Sequence, residues 1–272
     1  MVFRMAPPAS PRSKNTVICH FYNEEYLLPW WLKHHRNIFD HGIMIDYRST
    51  DRSCDIIRDL CPQWEIRETR NKYFDSQIID DEVVFYERMI AGWRMALNVT
   101  EFLVGNFGQL NQFSGPTQHF IGNIVFVHPE TDIYPSPDLP LYDQVQFGYI
   151  EDNPNAIRIL DTGARASRSI HNFDLVYPMA GRHWPQTPTL NDLVIFYYGY
   201  TYRNEAIISR KLQIKQNISP EEAQKVGGNH PNTVTRDRFL SNIETYHLPR
   251  CRDLSGVVEN LTRFHRSPNR VS

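Results

Sequence analysis

The sequence predicts an α/β fold, with a mostly parallel central sheet flanked by helices. Three observations carry that expectation. Short apolar runs of strand length recur at residues 16–21, 43–46 and 64–68. Stretches with helical patterning separate them. The first two runs end in polar turns, and open α/β sheets bind ligands beyond the carboxyl ends of their strands. Such alternation argues for parallel strands with helices on both faces.

The composition agrees with a single large domain. The chain has 272 residues, 41% apolar and 22% charged, as in ordinary globular proteins. A formal net charge of −2 gives no reason to expect nucleic acid as a partner. No apolar run approaches the roughly 20 residues that a membrane span requires. Cys19, Cys54, Cys61 and Cys251 show no CxxC spacing, so free thiols in a reducing, cytoplasmic setting are expected. Residues 1–14 hold three prolines and scattered bases without an apolar core. They read as a flexible tail.

Taken in order, residues 16–21 form the first strand and Asn23-Glu24-Glu25 a polar turn. Pro29 fits the first turn of a helix, where its missing N–H costs nothing. That helix carries Trp30, Trp31, His34 and His35. The second strand, 43–46, ends in Ser49-Thr50-Asp51, which caps a helix over 51–60. The third strand is 64–68. Residues 73–81 read as a loop and 82–91 as a helix. Residues 97–104 then read as a buried strand with a polar corner at Asn98, Thr100 and Glu101. From 105 to 140 the text is rich in Gly, Asn, Gln and Pro and predicts long loops, with one apolar run at 124–127. Strands are expected at 156–160 and 193–200, and helices at 204–214 and 236–246. Residues 249–272 read as a basic C-terminal tail containing Arg250, Arg252, Arg263, Arg266 and Arg270.

The three strand ends carry the chemistry. An aromatic beside polar groups, Tyr22-Asn23-Glu24-Glu25, can stack on a base and bond its edge. A carboxylate in the second turn, Asp46-Tyr47-Arg48-Ser49-Thr50-Asp51, can accept from a base N–H or a ribose hydroxyl. The corner at Asn98–Glu101 faces the same end of the sheet.

In order and spacing, these texts resemble the family-2 type glycosyltransferases of GT-A (Rossmann-like) fold. The branch related to family 92 is the most similar, with its NEE-x-L-L-P-x-W-L-x-H-H, D-x-x-STD and DxDEFL texts. The resemblance covers about the first 105 residues and is looser beyond. It implies one domain over 15–248, with a nucleotide-binding half at 15–105 and an acceptor half at 106–248. Tyr22, Glu24, Asp46 and Arg48 would meet the nucleoside of a nucleotide-diphosphate sugar, and Asn98, Thr100 and Glu101 its diphosphate. A divalent cation, Mn²⁺ or Mg²⁺, would stabilise the leaving group, held by Glu101 with His183 or, second, His230. Here neutral Asn98 and Thr100 stand where the family has aspartates. Arg165, Arg168 or Arg182 could instead take the diphosphate through guanidinium forks.

Inverting transfer to a glycan hydroxyl (on polysaccharide, glycoprotein or glycolipid) also needs a general base. Asp152 of the Glu151-Asp152 pair is the first candidate, with Asp132 and Asp161 as competitors. Trp184 could stack on a sugar face. The alternative is a non-catalytic nucleotide- or glycan-binding protein on the same fold. A nucleotidyltransferase would want a Gly-rich basic loop after the first strand, and that turn is acidic here.

Overall fold

The computed structural model describes residues 14–153, 166–226 and 234–266. The opening is the expected alternation: β1 (Thr16–Phe21), α1 (Leu28–His35), β2 (His41–Asp46), α2 (Ser53–Leu60) and β3 (Glu65–Glu68). After α3 (Ser76–Glu87) comes β4 (Arg94–Ala96). The parallel core of the sheet runs β4-β1-β2-β3, with Thr16 opposite both His41 and Arg94. Val17, Ile18 and Cys19 of β1 are fully buried, as a strand covered on both faces requires.

Beyond β4 the sheet becomes mixed. β5 (Glu101–Gly105), β6 (Gln118–Phe126), α4 (Leu141–Gln144), β7 (Phe147–Ile150), β8 (Ala166–His171) and β9 (Leu193–Tyr197) follow. β8 is antiparallel to β4 and to β6, while β9 runs parallel to β6 and antiparallel to β5. The chain continues through α5 (Glu205–Gln213), α6 (Pro220–Val226), α7 (Arg236–Asn242), β10 (Arg252–Asp253) and α8 (Ser255–Arg266). No helix among the described residues is long and apolar enough to cross a membrane.

Several elements differ from the sequence expectation. The polar corner is not the end of one strand over 97–104. β4 stops at Ala96, the chain turns, and β5 leaves as a separate strand. The Glu101 carboxylate closes the turn by accepting from the Asn98 N–H at 2.8 Å, which spends a backbone donor that a continuous strand would use in its ladder. Residues 76–81, read as loop, are the first turns of α3, because Ile79 and Asp80 are buried by tertiary contacts. The Gly- and Asn-rich text after 105 contains the nine-residue β6. Residues 249–266 of the expected tail are ordered structure: β10 pairs with β7, Leu254 before α8 is buried, and α8 buries Val258, Leu261 and Thr262. Their helical spacing was masked by the exposed bases between them. Residues 1–13 of the N-terminal tail, the strand expected at 156–160, and Arg270 lie outside the described residues.

Helix α1 holds the corner from below. Trp31, fully buried, donates its indole N–H to Asn98 O (3.1 Å) and Glu101 O (2.9 Å). β5 ladders with β9 on one side, and imidazoles cover its other edge. His34 Nε2 donates to Leu103 O at 2.7 Å, and Leu103 N–H donates to His35 Nε2 at 3.1 Å. Gly105 N–H donates to His265 Nε2 of α8 at 3.0 Å. Side chains thus satisfy an edge that would otherwise expose its backbone.

This edge requires neutral imidazoles. Burial, with His265 close by, lowers the His34 pKa to about 3, and burial also lowers that of His35. An unfolded histidine protonates near about 6.5, so between those values the unfolded state binds more protons and stability falls as pH falls. Urea midpoints should drop as pH falls from about 6.5 toward about 3, and a His35→Gln variant should flatten the drop. An unchanged slope in that variant would contradict the role given to His35.

Candidate active site

A cavity of about 560 Å³ opens at the carboxyl ends of β1 and β4. Tyr22 and Glu24 enter from the turn after β1, and Asn98, Thr100 and Glu101 from the corner after β4. Arg168 comes from β8, and Arg182 and His183 from the loop before β9. Eight residues singled out from sequence therefore share one cavity, although 161 positions separate Tyr22 from His183 (183 − 22).

The corner is a network of buried ion pairs. Glu101 and Arg168, each about 3% exposed at the side chain, meet through two bonds, Nη2 to Oε1 at 2.6 Å and Nε to Oε2 at 3.0 Å. The Asn98 amide adds Nδ2 to Oε1 at 3.2 Å. With the Asn98 backbone N–H, four donors occupy the four lone-pair positions of the Glu101 carboxylate. Arg168 Nη1 donates to Gly181 O at 2.8 Å and lies 3.4 Å from His183 Nδ1. Arg182 reaches Asp80 Oδ1 at 2.6 Å and Asn98 Oδ1 at 2.9 Å. Asp80 Oδ2 takes the backbone N–H groups of Gly181 and Arg182. Arg182 sits at a φ of 59°, a left-handed conformation costly for a non-glycine residue and fixed here by Asp80.

A third pair closes the opposite wall. Arg210 of α5 donates to Glu24 Oε1 at 2.6 Å, and Lys211 lines the cavity beside it. Asn204 caps this helix by accepting from the Ile207 N–H at 3.1 Å. Its last residue, Gln213, donates to Asn23 O at 2.8 Å. The turn after β1 is thereby tied to α5.

Glu151 and Asp152 separate. Glu151, on the turn after β7, lines the cavity and accepts from Asn123 Nδ2 at 2.6 Å. Burial raises its pKa, which Asn123 partly offsets. Asp152 is exposed at a φ of 64° and lies off the cavity. At a tight turn neighbouring side chains diverge, and the carboxylate facing inward is Glu151. Tyr149 Oη lies 2.8 Å from His247 Nδ1 in the same wall.

Other expected residues stand elsewhere. Asp46 accepts from the Ser49 N–H at 2.9 Å and from the Cys54 thiol at 3.4 Å, so it orders its own turn and is not part of the cavity wall. Arg48 is exposed, 3.7 Å from Glu68. Trp184 packs at 5.3 Å from Phe120 and 6.0 Å from Tyr177, between ring centres. Asp132 is exposed. Asp161, Arg165 and His230 lie outside the described residues. Sequence reasoning missed Asp80, Asn123, Arg210 and Lys211, and offered Glu151 only as the partner of Asp152. None of them sits in a local motif, and only long-range packing joins them to the corner.

Among the described residues the corner offers a divalent cation no ready ligand set. Glu101 is saturated, Asn98 Oδ1 is taken by Arg182, and Arg168 stands beside His183. Burial, with Arg168 adding repulsion, lowers the His183 pKa. Among the described residues no three of His, Cys, Asp and Glu gather in a metal-holding group.

No protein-family model matches the chain, and no curated protein does. Solved structures overlap it partially. S. aureus TarS 1–349 has a TM-score of 0.39 and 11% identity over 86% of this chain and 72% of that one. Its complex with UDP-GlcNAc has a TM-score of 0.40 and 12% identity over 78% and 69%. A longer S. aureus TarS chain has a TM-score of 0.31 and 12% identity over 45% of this chain, which spans only 23% of it.

Proposed function

We propose that this chain is a glycosyltransferase of family-2 type and GT-A fold. It would move a sugar from a nucleotide-diphosphate sugar to a hydroxyl of a glycan acceptor, with inversion. The observation that carries the reading is the convergence of Tyr22 and Glu24 with Asn98–Glu101 in one cavity at the strand ends. Nucleotide sites of open α/β sheets lie there. The branch related to family 92 is the finer part of the proposal and rests on the texts of the first 105 residues. A cytoplasmic setting belongs to the same reading and is supported by four free thiols.

The chemistry is a single displacement. The acceptor hydroxyl attacks the anomeric carbon and the bond to the β-phosphate oxygen breaks, its electron pair leaving with the diphosphate. Glu151 takes the hydroxyl proton. Burial raises its pKa, which makes it a stronger base than an ordinary carboxylate, and Asn123 fixes its direction. The polar wall of Arg182 and Arg210 faces the charge that develops on the leaving group. Titration calorimetry with UDP-, GDP- and dTDP-sugars tests the reading. Micromolar binding of at least one is expected, and heat from none would sink it.

A second reading, a non-catalytic nucleotide- or glycan-binding protein, is favoured by one observation: Glu101 is fully occupied by Arg168 and Asn98. It predicts binding without turnover. Nucleoside diphosphate release that Glu151→Gln abolishes would exclude it.

A further inference from the structure

We propose that the cavity holds the diphosphate of its nucleotide sugar with guanidinium and ammonium groups in place of a divalent cation, and that Arg182, Arg210 and Lys211 supply them. This rests on the sugar-transfer reading above. The first support is the misfit of the oxygen ligands. A hard cation needs several oxygens with free lone pairs, and both Glu101 oxygens already accept two bonds each. The Asp80 oxygens serve Arg182 and two backbone N–H groups. An ion at this corner would have to displace Arg168, leaving a buried guanidinium unpaired, which is costly.

The second support is a pair of unspent guanidinium donors. Arg182 is 2% exposed and Arg210 is 7% exposed, and both line the cavity. Each keeps a buried Nε–H without a partner among the described residues. Buried guanidinium donors are costly to leave unmatched, and phosphate oxygens match them in charge and geometry. Each of these arginines is balanced by one carboxylate, Asp80 or Glu24. Lys211 brings an additional ammonium beside Arg210. Burial lowers its pKa to about 7, with repulsion from Arg210 adding to the effect. An anion beside it favours the charged form.

The test is calorimetric titration of the full chain with UDP, GDP and dTDP, in EDTA and again in Mn²⁺. A nucleoside diphosphate should bind in EDTA, with Mn²⁺ changing Kd by less than about threefold. Lys211→Met and Arg182→Lys should each weaken it by about ten- to a hundredfold, the range for hydrogen bonds to charged groups. Thermal melts confirm that each variant is folded, and Arg182→Lys keeps a cation for Asp80. Binding that appears only with Mn²⁺ overturns the inference and leaves the transferase reading standing. So does binding in EDTA that neither variant weakens. Failure of all three diphosphates to bind under both conditions overturns both.

Discussion

Replacing Glu151 by glutamine should lower kcat for sugar transfer by about 10²–10⁴-fold, the usual contribution of a positioned base. Nucleotide affinity should hardly change, because the amide keeps its shape and its bond to Asn123. Among the described residues Glu151 is the cavity carboxylate without an arginine ion pair: it lies against Asn123 at 2.6 Å, and burial raises its pKa. The wild-type rate should therefore rise with pH along a limb above the ordinary carboxylate range, and Glu151→Gln should lose that limb. Asp152→Asn is the control. Asp152 is exposed and off the cavity, so its rate should stay within about twofold. Release of nucleoside diphosphate at several pH values measures all three. A large loss in Asp152→Asn with none in Glu151→Gln would reverse the assignment.

The second large effect is on stability. Arg168→Leu should cost about 3–5 kcal/mol, because it strands the Glu101 carboxylate in the core. That carboxylate also holds the Asn98 N–H that closes the corner, so the turn between β4 and β5 should loosen with it. Glu101→Gln alone should cost a similar amount by leaving Arg168 unpaired. The double variant Glu101→Gln with Arg168→Leu should recover much of the loss, since a neutral pair strands no charge. Urea unfolding of the four proteins gives the coupling energy. Additive losses would show that the two side chains act independently.

What could be read from the sequence followed the range of each interaction. The β1-α1-β2-α2-β3 opening was legible because its signals are local: strand-length runs, Pro29 in a first turn, and polar turns after β1 and β2. The cavity was half legible. Tyr22, Glu24, Asn98, Thr100 and Glu101 sit in short texts at strand ends, and Arg168 and Arg182 in short polar fragments. Asp80 was hidden because α3 starts in text that reads as loop until Arg182 anchors it. Arg210 and Lys211 lie in the helix expected at 204–214, and their place at the cavity emerges only where that helix meets Glu24 and Asn23 across the fold. The histidines of α1 carried no sign of their task, because covering the β5 edge depends on where that strand arrives. The choice between Glu151 and Asp152 turned on one backbone angle, a φ of 64° at Asp152, which side-chain chemistry does not encode.

The central claim is that the cavity between Tyr22, Arg182 and Lys211 is the seat of a nucleotide sugar. A crystal structure of the protein with the nucleoside diphosphate that binds best, grown in EDTA, tests it most directly. The account predicts the diphosphate against Arg182 and Lys211, with the base toward Tyr22 and the Glu101–Arg168 pair intact. A nucleotide seated elsewhere on the molecule, with the cavity filled only by solvent, would contradict it.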